Sequence, residues 1–434
     1  MRHTLTALRA SAVAILLATA SGVAVAQTNE RLYENLDFRF DTPGARALGM
    51  GRAFVGLADD ATAALSNPAG LSNLLGQQFS LEFRGTQRER QISSAAGSLD
   101  SQSFGQFVFT PSFMSYALPF ERATLLLYRN SQQKFQEQFE FGPRQVPTRE
   151  APEDGAFGAV SVAVENFGAG GAWVVSPQLS VGGSANLVTL DLASEARSGT
   201  RLNPRNGTNT IASGYRWSGT AGLLFKPVRG VAIGATYAHR VSFPMETRLF
   251  GRFLYTVSDP EGTIILTGER RVVDYVIPSR YAVGGSWRAS DRLSIVADVS
   301  RVLYSQRITD RFLVVDFVDP VAQITPDNFF VNDVTQVHAG AEYRFYLLRS
   351  TVAVRGGLYT DPNHPLRYRR GGNNLQHPAD RLLDFRFNTL PDETRVAATA
   401  GVGVALANRV QLDGAVSLAP DQRQFVASLV FRVD

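Results

Sequence analysis

"QVHAGAEYRF", residues 336–345, alternates without a break. Val337, Ala339, Ala341, Tyr343 and Phe345 fall on one face, and Gln336, His338, Gly340, Glu342 and Arg344 on the other. A period of two is a strand with one apolar and one polar face, because successive side chains of a strand point to opposite sides. The same texture returns at Val231/Ile233/Ala235/Tyr237 against Ala232/Gly234/Thr236/Arg240, and at Tyr281/Val283/Trp287 against Gly284/Ser286/Arg288. It returns again at Val410/Leu412/Val416/Leu418 against Gln411/Asp413/Ser417. Soluble sandwiches alternate in this way too, so the pattern alone leaves the solvent open.

The connections narrow it. Short turns, "SPQ" at 176–178, "KPVRG" at 226–230, "RASDR" at 288–292 and "ANR" at 407–409, take turns with long polar segments near 191–213, 244–275, 306–332 and 360–392. Short connections on one side and long ones on the other are the habit of an outer-membrane β-barrel, whose turns face the periplasm. Strands are expected near 78–85, 106–119, 123–141, 157–176, 178–191, 214–226, 230–243, 279–288, 292–305, 333–346, 350–359, 394–405, 409–419 and 423–433. These fourteen make an even number, so the first and last pair antiparallel and leave no open edge. The segment 244–275, with its own alternating "GTIILTG", could add a hairpin. In the closing "QFVASLVFRVD", Phe425, Ala427, Leu429, Phe431 and Val433 face one way. Barrel assembly machinery reads such a strand, although its last residue is usually aromatic and here Val433 and Asp434 follow Phe431. The apolar run "VAATAGVGVALA" at 396–407 is too short for a membrane helix, which needs roughly 18–20 residues.

Composition agrees with export. Arg2 and Arg9 mark a charged start, residues 10–26 carry no charge, and Ala24-Val25-Ala26 offers a small-residue cleavage site before Gln27. Residues 1–26 therefore read as a signal peptide. Without Arg2 and Arg9, 41 basic residues face 39 acidic ones, which gives no electrostatic case for nucleic acid. The chain has no cysteine, which removes disulfides, thiolate metal sites and thiol nucleophiles together.

Ahead of the first strand stands a different texture, "GARALGMGRAFVGLADDATAALSNPAGL" at 44–71. Glycines 44, 49, 51 and 56 let backbone pass close to a wall, Asp59, Asp60 and Thr62 suit the start of a short helix, and Asn67 suits the cap of another that begins at Pro68. Residues 27–76 are expected to form a small plug inside the lumen of a barrel spanning 77–434; a soluble periplasmic arm is the alternative.

This stretch resembles the N-terminal region of the FadL family of outer-membrane transporters for long-chain fatty acids and other hydrophobic compounds. "FGAGGAWVVSPQLSVGGSANLV", "AGLLFKPVRGVAIGATYAHRV", "IPSRYAVGGSWRASDRLSIVADVSRV" and "DVTQVHAGAEYRF" are similar to successive hairpins of that family. The resemblance implies an all-β, fourteen-stranded antiparallel transmembrane barrel in the outer membrane of a Gram-negative bacterium, occluded by an N-terminal plug. It also implies that Asn67, Pro68 and Ala69 contact the wall near a lateral opening, within a plug motif of Gly49, Gly51, Asp59, Asp60, Asn67, Pro68, Ala69 and Gly70. The expected activity is uptake of a hydrophobic small molecule such as a long-chain fatty acid, which diffuses through the plugged barrel and leaves sideways. The same plug pattern is similar to barrels that serve secretion systems, so a structural barrel that binds a protein partner remains the alternative reading.

Access for such a ligand is expected near Phe250, Phe253, Tyr255, Ile264, Ile265 and Leu266, an apolar group in a long loop. No catalytic residue, cofactor or metal is expected. Asp361, His364, His377 and Asp380 share one loop but match no ligand spacing, and no nucleophile elbow or phosphate loop occurs. Arg367, Arg369 and Arg370 beside Tyr368 suit lipopolysaccharide phosphates. His338, Glu342 and Arg344 share the polar face of one strand, as a lumenal ladder would. The expected partners are thus the ligand, outer-membrane lipid and lipopolysaccharide, and the assembly machinery, with the chain a monomer.

Overall fold

The computed structural model describes residues 43–93, 101–141, 156–200, 203–254, 263–312, 326–347, 350–369, 384, 387–388, 392–407 and 409–433. The signal peptide, Tyr255, Arg370, His377 and Asp380 lie outside them. The strands are β1 (Gln77–Ser93), β2 (Ser101–Pro119), β3 (Ala123–Phe141), β4 (Ala156–Ser176), β5 (Leu179–Thr200), β6 (Asn203–Phe225), β7 (Val231–Ala238), β8 (Val241–Leu254) and β9 (Thr263–Ile277). They continue with β10 (Arg280–Arg288), β11 (Leu293–Val302), β12 (Phe329–Val331), β13 (Val334–Leu347), β14 (Ser350–Pro362), β15 (Leu366–Tyr368), β16 (Thr394–Leu406), β17 (Val410–Ala419) and β18 (Gln422–Val433).

β12 and β15 form a separate two-stranded ribbon, and all the others share one antiparallel sheet. β7 and β8 are one strand interrupted at His239–Arg240, and β9 and β10 one strand interrupted at Pro278–Ser279, so the sheet holds fourteen barrel strands. It closes where β1 meets β18, from Gln77↔Val433 to Arg88↔Gln422. Closure pairs the first strand with the last, so that the sheet ends on no free terminal strand in the bilayer, where water is absent to satisfy one.

Side chains sort by face as the alternation requires. Tyr116, Trp173, Phe225, Trp287 and Phe345 are exposed outward near the short turns, and Phe107, Phe109, Tyr215, Trp217, Tyr237 and Tyr281 are exposed outward nearer the long loops. The two groups are aromatic girdles, with Leu125, Leu127, Leu223, Val283 and Val299 exposed between or beside them. β5 and β6 run for 22 and 23 residues, about twice what crossing a bilayer takes, so their outer halves stand above the membrane. The stretches 191–213 and 244–275, expected as long loops, are thus mostly ladder: Asp191↔Ser213 to Thr200↔Asn203, and Pro244↔Asp274 to Leu254↔Thr263.

Residues 43–76 lie inside the barrel. They contain helix α1 (Ala45–Gly49), helix α2 (Ala63–Ser66) and a 3-10 turn, Pro68–Asn73. α1 packs on β14, β16, β17 and β18, whereas the 3-10 turn packs on β3, β4, β5 and β6, so the segment reaches across the lumen from wall to wall.

Candidate functional site

The floor of the lumen is polar, and this inner segment bonds to its carboxylates. Arg46 of α1 holds both carboxylate oxygens of Glu342 on β13 at 2.9 and 3.0 Å, and Asp59 at 2.5 Å. Arg355, directly across from Glu342 in the β13–β14 register, binds Glu342 at 2.7 Å and Asp413 at 2.6 Å, while Arg344 donates to Glu342 at 2.9 Å. Asp298 on β11 accepts the backbone amides of Phe54 and Val55 at 2.5 and 2.8 Å. Glu82 on β1 accepts from the Gly44 amide and the Ser112 hydroxyl, both at 2.6 Å. Thr399 accepts from the Gly51 amide, and His338 Nδ1 lies 3.0 Å from the Gly51 carbonyl and so carries the proton. A lumenal carboxylate that accepts buried amides fixes the segment's position, because leaving those amides unpaired costs roughly 1–3 kcal/mol each.

The plug-motif residues fall into this floor. Asn67 caps the 3-10 turn by accepting the Ala69 amide at 3.2 Å, and its own amide donates to the carbonyls of Val55 at 2.8 Å and Leu223 at 2.9 Å. One side chain thus ties two parts of the segment to β6. Here the wall carries Gly182, Gly222 and Gly234, where any β-carbon would overlap Pro68, Asn67 or Val55. A second close approach is at Gly51, with φ 65, whose β-carbon would lie 2.6 Å from the Leu358 carbonyl; Gly340 and Gly357 face it on β13 and β14. Gly49 packs on Gly401, and Gly70 on Ala58. Asp60 accepts the amide and hydroxyl of Thr62 and precedes α2 rather than capping it through a helix amide. Burial pushes its carboxyl up to about 6, against the Thr62 hydrogen bonds.

Leu71, Ala61 and Ala64 pack on Phe113, Leu126 and Tyr128 of β2 and β3. Just above, the wall changes: β2 and β3 pair only from Phe113↔Asn130 to Pro119↔Thr124, and β3 bulges at Ser131–Gln133 against β4. Ser101–Ser112 and Ser131–Phe141 therefore face each other without ladder bonds among the described residues.

Above the floor the lumen turns apolar. Val162 and Val164, Val188, Leu190 and Leu192, Ala212, Val241, Phe243 and Met245, and Val273, Tyr275 and Ile277 fill this upper chamber and pack against one another. The roof is Tyr304, Phe312, Phe329, Val331, Leu366, Tyr368 and Phe387 from the outer connections, with Phe329 edge-on to Phe387 at 5.4 Å. Where chamber meets floor, Arg52, Arg280, Asp298, Ser300, Gln336 and His338 line a small pocket. Arg52 lies over the Tyr359 ring and donates to Gln424, while the Arg280 side chain makes no hydrogen bond or close salt bridge among the described residues and feels the charge of Asp298 in the same pocket. Below the floor a vestibule of 1250 Å³, lined by Arg344, Arg432, Lys226 and Asp413 among others, opens toward the short turns.

The expected access residues sit elsewhere than in a loop: Phe250 and Phe253 are in β8, and Ile264, Ile265 and Leu266 in β9, with Phe253 opposite Ile264. Their side chains are outside the described ones. The apolar roof comes from the connections after β11 and β14, whose composition gives no periodic signal. Arg367, expected at lipid phosphates, is drawn into that roof, where it binds Asp392 at 2.5 Å; Arg369 lies over Phe330. Among the described residues no cluster of ligating side chains could hold a metal.

Fold and site define an outer-membrane barrel whose lumen holds residues 43–76 over a polar floor and is apolar above it. The chain belongs to the outer membrane protein transport family (OMPP1/FadL/TodX), which it matches over residues 40–365. Among solved structures it is similar to the toluene transporter TbuX of Ralstonia pickettii, at 18% identity and TM-score 0.59, covering 92% of this chain and 100% of that one. It is similar also to a FadL homologue of Pseudomonas aeruginosa, at 12% identity and TM-score 0.60, covering 90% and 98%, and to the toluene transporter TodX of P. putida, at 13% identity and TM-score 0.57, covering 91% and 99%. A search of curated protein sequences finds no match. The protein is accordingly an outer-membrane transporter of hydrophobic compounds, placed in the outer membrane of a Gram-negative bacterium.

Proposed function

We propose that residues 43–76 act as the plug of this transporter and that its ligand is an amphiphile with a long apolar chain and a carboxylate head, such as a long-chain fatty acid. The observation that carries this reading is the junction of the two lumen layers. An apolar chamber rewards burial of a hydrocarbon chain at about 25 cal/mol per Å² removed from water, and at its base stands Arg280, which makes no close salt bridge among the described residues, while the nearby Asp298 carboxylate is already held by the amides of Phe54 and Val55. A guanidinium there offers paired donors to a carboxylate.

The ligand passes the aromatic roof, settles in the chamber, and is stopped by the floor. It leaves sideways where β2 and β3 part, a route that spares an apolar molecule the charged floor and the wet vestibule. The reading as a secretion-associated barrel calls instead for a polar lumen throughout, and the apolar upper layer speaks against it. One chain encloses the whole path, so a monomer suffices.

Native mass spectrometry of protein purified in mild detergent tests the ligand class. The wild type is expected to retain a long-chain acid, and Arg280→Ala to weaken oleate binding by about tenfold while toluene binding stays within about twofold. Equal loss of both ligands, or of neither, would remove Arg280 from the site.

A further inference from the structure

The wall is interrupted a second time, between β6 and the strand made of β7 and β8. β6 pairs with β7 from Thr220↔Ala238 to Phe225↔Ile233, and with β8 from Asn206↔Gly251 to Ile211↔Glu246. Between those ladders Ala212–Gly219 face His239–Met245 without a register pair. Two bonds close the lower end, His239 N to the Gly219 carbonyl and the Ser218 hydroxyl to the His239 carbonyl, both at 2.9 Å.

The sequence builds this seam. In β7 the buried wall position is the even-numbered Gly234, whereas in β8 the buried positions are the odd-numbered Val241, Phe243 and Met245. The phase change at His239–Arg240 shifts the register with β6 by one residue, from Thr220↔Ala238 below the seam to Ile211↔Glu246 above it. The neighbouring strand breaks at the same level, at Pro278–Ser279, and Pro244 and Pro278 bring no amide hydrogen to the ladder.

A comparison inside the molecule shows that an unpaired edge is not by itself an opening. The far edge of β9 also lacks a barrel strand, but the turn Tyr304–Arg307 packs on it, and Thr309 and Arg311 bind Asp274 at 3.1 and 3.6 Å. At the β6 seam no turn packs across the gap among the described residues; above the two closing bonds only the Arg216 side chain reaches over it, onto the Phe243 ring, while Tyr215 and Trp217 face outward.

On its inner side the seam is lined by Ala212, Val241, Phe243 and Met245, which belong to the apolar chamber. On its outer side Tyr215 and Trp217 belong to the girdle nearer the long loops, at the level of the outer-leaflet headgroups. Two cations stand at the rim. The Arg216 guanidinium lies 5.9 Å from the centre of the Phe243 ring, and Arg240 is exposed opposite Ser218, two residues along; neither makes an ion pair among the described residues.

We infer that the seam between β6 and β8 is a second lateral portal, through which a carboxylate-headed amphiphile passes between the outer leaflet and the chamber, its head on Arg216 and Arg240 and its chain along Phe243 and Met245. This rests on the uptake reading above and adds a route and a head-group filter to it. The chain has no cysteine, so paired thiols can be placed at will. Ser213→Cys with Pro244→Cys, residues brought opposite by continuing the upper register, spans this seam; Pro111→Cys with Gln132→Cys spans the seam between β2 and β3.

Cells carrying each full-length pair are treated with a short bismaleimide, and uptake of labelled oleate and of toluene is measured. The portal predicts that linking β6 to β8 slows oleate by about tenfold or more and toluene by less than about twofold, and that the unlinked Arg216→Ala/Arg240→Ala variant shows the same split. Oleate uptake unchanged by the β6–β8 link, yet lost on linking β2 to β3, overturns the portal and leaves the uptake reading standing. Failure of the unlinked chain to take up either compound overturns the uptake reading itself.

Discussion

The lower and upper parts of the lumen have opposite interiors, the charges of the lower part standing on β1, β11, β13, β14 and β17 and the apolar side chains of the upper part mostly on β4, β5, β8 and β9. Below, Glu82, Asp298, Glu342, Arg355 and Asp413 are buried and each is bound by the inner segment or by a neighbour. Above, Leu190, Phe243, Met245 and Tyr275 present hydrocarbon and rings. The floor's charges fix one seating of the segment, because a buried ion pair tolerates little displacement once one partner leaves. The upper layer is held by apolar packing, which is non-directional and scales with the area buried. A charged layer and an apolar one are thereby kept apart in a single tube.

The comparison breaks most severely at Glu342. Glu342→Ala leaves Arg46 and Arg355 facing each other without the carboxylate they share, and the seating of α1 is expected to weaken by about 3–5 kcal/mol. Hydrogen exchange at residues 45–51 reads this directly, and an ionic current through single barrels in a planar bilayer reads its consequence. Unchanged protection there would mean that the floor is held by something other than its charges.

Phe243→Ala probes the other half. It is expected to weaken binding of a long-chain acid by about tenfold, as seen by calorimetry, and to leave exchange at residues 45–51 as in the wild type. Loss of protection at the floor would show that the two layers are coupled.

The smallest effect concerns pH. The Asp60 carboxyl, raised to about 6 by burial, keeps its proton longer in the seated segment than in a released one. Its contribution to seating is therefore fullest below about pH 4 and is lost as pH rises through 6. Exchange at residues 60–66 is expected to quicken between those values beyond the intrinsic rate, and Asp60→Asn to remove that increment.

The halves also differ in how well they can be read from the sequence. Strands such as β13 announce themselves because lipid meets Val337 and Tyr343 on one side while polar lumen meets His338 and Glu342 on the other. The outer half of β5 and β6 loses that contrast once both faces leave the bilayer, and "SEARSGT" reads as loop though it is ladder. Near the break at Pro278, Tyr275, Val276 and Ile277 are all buried, so alternation vanishes for the opposite reason.

Asn67-Pro68 is legible because capping is local chemistry. Asp59 is a local partner of Arg46, but the other, Glu342, lies 296 residues away and becomes its neighbour only when the barrel closes, so no spacing could reveal it. The roof residues Phe312, Phe329, Tyr368 and Phe387 come from separate connections and acquire a shared face only in three dimensions.

The most direct measurement is the position of a bound ligand. Crystals of the full chain soaked with a bromine-tagged long-chain acid should give an anomalous peak inside the chamber, among Leu190, Phe243 and Tyr275, with the carboxylate toward Arg280. A peak confined to the vestibule below the floor would place the traffic in the polar half and contradict the account.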